Sequence, residues 1–113
     1  MGPDELDGLA VDPEHHRLLF ENEEVRVLET TIAAGETTPL HTHLTATVMY
    51  VISGSHFHRR DEHGTTMVDT QAEPGYVMPR VLYSPGTSRH TLQNTGIDDL
   101  VVIGVELKRT PGG

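Results

Sequence analysis

The stretch from Gly35 to Gly54, GETTPLHTHLTATVMYVISG, limits the possible fold more than any other part of the chain. A loop containing Gly35 and Pro39 delivers two histidines, His41 and His43, and then becomes an apolar, β-branched segment over Ala46 to Ile52. In extended backbone, residues i and i+2 share a face, so His-Thr-His aims two imidazoles at one point. The same alternation groups Thr45, Thr47, Met49 and Val51 on the histidine side and Ala46, Val48, Tyr50 and Ile52 on the other. Both sets are largely apolar, the pattern of a strand in a sheet packed on another sheet.

The rest of the chain repeats this rhythm of short strands and turns. Strands are predicted over Val25 to Ile32, Ser55 to Arg60, Thr65 to Asp69 and Leu100 to Leu107, the last an apolar core strand. Leu18 to Phe20 fits a short strand or a helical turn. Tyr76 to Met78 and Val81 to Tyr83 read as strand pieces interrupted by Pro79. Gly/Pro turns and the lack of a long helical pattern predict an all-β sandwich or barrel. The expected organisation is a flexible arm over 1–13, a single β domain over 14–108 and a flexible tail over 109–113.

His90 follows a second loop-to-strand signal, SPGTSRHTLQN. Two near-sequential imidazoles plus a distant third form an ordinary transition-metal ligand set. His41, His43 and His90 are therefore the expected metal ligands, holding one divalent transition metal per chain. His15 and His16 are adjacent and read as surface or edge residues, and His63, in a turn, as a surface residue. Arg89 adjoins His90 and is expected to face outward. Asn94 reads first as a turn-capping residue.

With 113 residues, one compact domain is expected. Aromatic residues make up 4% and Trp is absent, so the core must come mainly from Val, Leu, Ile and Met. A small β domain covers its apolar excess readily by pairing, so a homodimer is expected. The net charge of -9 lacks the basic footprint of a phosphate-backbone binder, which argues against nucleic acid and anionic membranes as partners. The absence of cysteine removes disulfides, thiolate ligands and cysteine catalysis. The acidic start MGPDELDGLA has no apolar secretion core, so the expected location is cytoplasmic.

The spacing of Gly35, His41, His43 and Gly54 resembles the first motif of the cupin superfamily, with Thr47 where a glutamate is usual. Pro85, His90 and Asn94 resemble the second, with Gly86 one position early and Thr87 in the place of the usual glycine. The resemblance implies a cupin-type double-stranded β-helix, or jelly-roll barrel. It also implies a carboxylate-poor, three-histidine centre like that of cupin dioxygenases, with Fe(II) as the first expectation and Mn, Ni or Zn as alternatives. His56 and His58 fall where cupins often direct side chains inward, so they are the expected catalytic residues, one of them, His56 first, as a fourth ligand, general base or hydrogen-bond donor to substrate. The alternative turns Phe57, on the face shared with Ser55 and Arg59, inward and leaves both histidines outside. Thr47, Met49, Tyr50 and Tyr83 are the expected pocket walls for a small-molecule substrate. The expected activity is a dioxygenase-type reaction. A redox-neutral lyase or isomerase and a non-catalytic binding module are the alternatives.

Overall fold

The computed structural model describes residues 7–43 and 45–108. A single helical turn, α1 (Gly8–Val11), precedes nine strands. These are β1 (His16–Glu21), β2 (Val25–Ile32), β3 (His41–His43), β4 (Thr47–Ser53), β5 (Phe57–Asp61), β6 (Thr66–Asp69), β7 (Val81–Ser84), β8 (Thr87–Asn94) and β9 (Leu100–Leu107). They form two antiparallel sheets, ordered β1-β2-β9-β4-β7 and β3-β8-β5-β6. No helix among the described residues is long and apolar enough to cross a membrane.

The apolar run of β9 is explained by its place, hydrogen-bonded between β2 and β4 in the middle of the larger sheet. Leu28, Ile32, Val51 and Leu100 supply the most deeply buried apolar side chains. In β4, Thr47 and Val51 are buried and Met49 is half-buried, while Val48, Tyr50 and Ile52 are exposed. The predicted alternation thus holds, and it resolves into an inner and an outer face. At Gly54, φ is +133° and a Cβ would lie 2.5 Å from Leu100 Cδ1, so the turn after β4 requires glycine.

Asn94 ties the end of β8 to the larger sheet. Its buried Nδ2 donates to the Ile32 and Asp98 carbonyls at 2.8 Å each, and its Oδ1 accepts from Gly96 N. This is the turn-capping role read from the sequence, extended across the sheets.

One expectation needs correction, the strand piece over Tyr76 to Met78. Of the arm expected over residues 1–13, residues 1–6 lie outside the described residues, and residues 7–13 are packed onto the sheets. Asp7 caps α1 and pairs with Arg26, and Gly8 and Asp12 are buried. The tail over 109–113 lies outside the described residues. Tyr76 to Met78 form no strand, because the turn through Gly75 and the backbone before Pro79 take them out of either ladder.

Candidate metal centre

Four histidines converge at one end of the cavity between the sheets. His41 and His43 come from β3, the short strand that Pro39 precedes, and His41 pairs in register with His90 of β8. Their ring centroids lie 4.5 Å apart, and those of His43 and His90 lie 6.0 Å apart. The fourth is His16, at the start of β1, with its centroid 5.2 Å from His41 and 5.3 Å from His43. One ligand atom from each of His16, His41 and His43 falls within 4.8 Å of the others, the spacing of a three-histidine group able to hold a metal ion.

Local backbone fixes how these rings present themselves. His16 Nδ1 donates to the Asp12 carbonyl (3.0 Å), His41 Nδ1 to that of Pro39 (2.8 Å) and His90 Nδ1 to that of Ser88 (2.7 Å). A carbonyl only accepts, so Nδ1 carries the proton and Nε2 the lone pair, the arrangement that orients metal-ligating histidines. His43 Nδ1 meets a carboxylate instead, Glu106 Oε2, at 3.3 Å. Burial pushes the pKa of His41 down to about 3 and that of His90 to about 4, and it lowers that of His16. Neutral imidazoles are the forms that bind metals.

The N-terminal turn completes this end. A Cβ on Gly8 would sit 2.7 Å from His43 Cε1 and 3.1 and 3.2 Å from the Nε2 atoms of His16 and His43. Only glycine leaves the space beside those nitrogens clear.

A carboxylate does lie across the ladder from position 47, on the neighbouring strand. Thr47 is buried and its hydroxyl donates to the Thr45 carbonyl, while its cross-strand partner on β9 is Glu106. Glu106 accepts from Arg26 Nε at 2.8 Å, and Arg26 clasps both oxygens of Asp7. Burial alone would raise the Asp7 pKa, but the Arg26 hydrogen bonds and charge outweigh it and hold the carboxyl below its usual range. The hydrogen bonds to Asp7 likewise raise the pKa of Arg26. A chain Asp7–Arg26–Glu106–His43 therefore connects the N-terminal turn to the histidines.

The cavity beyond the histidines measures about 310 Å³. Leu28, Ile32, Leu82, Leu92, Leu100 and Val102 line it, with Thr47, Met49, Phe57 and Arg59. Thr47 and Met49 stand on the cavity wall, and Tyr83 borders the cavity while remaining largely exposed. Tyr50 is not a wall; it is exposed on the outer face of β4.

The expected catalytic histidines are also absent from the cavity lining. On β5 it is Phe57 and Arg59 that line the space, so His56 and His58 fall on the other side. His56 Nδ1 bonds Thr70 Oγ1, and His58 bonds Thr66 Oγ1 through Nε2 and Arg60 through Nδ1. The correction has a simple cause. Alternation grouped these residues properly, but it does not say which group faces in.

His16 is the histidine that sequence reasoning missed. The usable signal was its adjacency to His15: in a strand, one of two neighbours must face inward. His15, in the turn just before β1, is instead bonded to Asp12 at 2.8 Å and Glu36 at 3.3 Å.

No family model matches the sequence, and no curated protein is similar to it. Solved structures do match. A cupin domain from Bordetella pertussis Tohama I superposes with a TM-score of 0.65 at 20% identity, covering 83% of this chain and 92% of that one. An RmlC-like cupin family protein with a double-stranded β-helix fold from Methanocaldococcus jannaschii gives 0.59 at 20% identity, covering 81% and 77%. An RmlC-like cupin from Desulfovibrio desulfuricans gives 0.51 at 20% identity, covering 85% and 86%. The chain has the fold these structures share.

Proposed function

We propose that this chain, which has the cupin superfamily fold, is a metal-dependent enzyme acting on a small organic molecule in the cavity between its sheets. A non-haem dioxygenase-type reaction is the chemistry that suits the site best. The observation that carries this reading is the grouping of His16, His41 and His43, one ligand atom of each lying within 4.8 Å of the others. His16, His41 and His43 would hold the ion, with His90 beside them. When bound, a divalent ion, Fe(II) first and Mn, Ni or Zn as alternatives, would supply Lewis acidity and, for iron, redox chemistry toward oxygen. Glu106 orients the His43 ring, and Arg26 keeps that carboxylate in place as an acceptor. The apolar walls take the body of the substrate and keep water away from it.

Purified protein is expected to carry about one divalent metal per chain by elemental analysis, and replacing His16, His41 and His43 together by alanine should remove it. Unchanged metal content in that triple variant rejects the reading. Oxygen uptake with Fe(II) but not with Zn supports the dioxygenase assignment. Turnover without oxygen, on a redox-inert ion, favours a lyase or isomerase instead.

A homodimer is the companion reading. Val48, Tyr50 and Ile52 of β4 and Val81 and Tyr83 of β7 leave an exposed apolar patch on the outer sheet, of the kind that marks an interaction site. Sedimentation equilibrium at the mass of a monomer would reject it.

A further inference from the structure

The cavity contains a charge for which the metal centre has no use. Arg59 stands on the inner face of β5, and among the described residues that line the cavity it is the one arginine or lysine. Its cross-strand neighbours are Leu92 on β8 and Val68 on β6, neither of which can pair with it. Arg59 is half-buried; its Nε is sealed from solvent without a hydrogen-bond partner, and no ion pair or hydrogen bond of its guanidinium is found among the described residues. The nearest compensation is the Phe57 ring, with Cζ 5.5 Å from the centroid. Burial lowers its pKa, but an arginine cannot shed its charge at any ordinary pH. Holding a guanidinium against leucines with one nitrogen sealed and unpaired is unfavourable, and an apolar side chain would fill the same space without that cost. What an unpartnered guanidinium does offer is a planar fork of donors that matches a carboxylate.

We propose that Arg59 is a carboxylate-binding group and that the cavity takes a small organic acid, its anion paired with Arg59 and its body against Leu28, Ile32 and Leu100. At about 310 Å³ the space suits a molecule at the small end of ligand size. Arg59 is opposite Leu92, two residues along β8 from His90, a strand distance of roughly 6.6 Å. An acid held at Arg59 therefore reaches the histidines within a few bonds. The assignment rests on the proposed function only for what happens to the acid there; binding itself needs no metal.

The test compares acids with their amides in metal-free, EDTA-treated protein by titration calorimetry, using hexanoate against hexanamide and benzoate against benzamide. Each pair has one shape and differs in charge. The acids are expected to bind the native chain about tenfold or more tightly than the amides. Arg59→Met should erase that preference while keeping the native metal content. Arg59→Lys, which keeps the charge without the fork and guards against a folding failure, should weaken the acids and leave the amides unchanged. Equal binding of acid and amide by the native chain overturns the proposal, and so does a preference that survives Arg59→Met. A native chain that binds acids through Arg59 yet holds no metal would leave this assignment standing and remove the proposed function instead.

Discussion

Two arginines, one on each sheet of this small β fold, have opposite outcomes. Arg26 on β2 has Glu106 directly across the ladder on β9 and Asp7 at the start of α1. Arg59 on β5 has Leu92 on one side and Val68 on the other. The first guanidinium is fully engaged and its pKa is raised; the second is bare and its pKa is lowered by burial. What differs is the residue opposite, not the arginine. A paired charge ties elements together, whereas an unpaired one in a cavity is a vacancy for a ligand's charge.

The largest effect expected from breaking this contrast is at Arg26. Arg26→Met should lower stability by about 2–4 kcal/mol in urea unfolding, since Glu106 stays buried beside His43 without its cation. Unchanged stability would mean that Arg26 is no more structural than Arg59.

Acid should come next. His41, His90 and Asp7 all have folded-state pKa values below their unfolded ones. Each therefore contributes stability that is present above the unfolded pKa and lost as pH falls through the folded value. For the histidines that window runs from 6.5 down to about 4 for His90 and about 3 for His41. Metal-free protein should lose stability steadily between neutral pH and pH 4. In Arg26→Met the part due to Asp7, at lower pH, should disappear while the histidine part stays. A flat profile down to pH 4 would contradict the neutral, buried state of the imidazoles.

Without ligand, Arg59→Met should change stability by less than about 1 kcal/mol, with an increase as the more informative sign. A loss as large as that at Arg26 would make Arg59 a structural residue. The smallest effect belongs to Arg89, exposed and 3.4 Å from an exposed Glu62. Arg89→Ala should shift stability by no more than about 0.5 kcal/mol. It calibrates the other two as a surface arginine, the role its place next to His90 predicted.

How much of the site was legible follows from how local each signal is. His41 and His43 were readable because i and i+2 in a strand point together whatever the strand packs against. His90 was readable because a loop-to-strand signal and a motif spacing both flagged it, and the register then set it opposite His41. His16 and Arg59 were not. The sequence grouped Phe57 with Arg59 and His56 with His58, but the choice of inward group depends on the β5–β8 ladder, which joins segments over thirty residues apart. Glu106 could not be placed locally either, since it lies across from Thr47 only through the β4–β9 register.

By itself, then, the chain determined a β architecture with short strands, its central apolar β9 and a histidine pair aimed at one point. These rest on alternation and turn chemistry, which act over a few residues. Tertiary structure decided that α1 closes over the histidines, that His16 joins them, and that one arginine is paired and the other left bare. Those outcomes come from ladder registers and sheet packing, where the partner of a residue is set by strands far away in sequence.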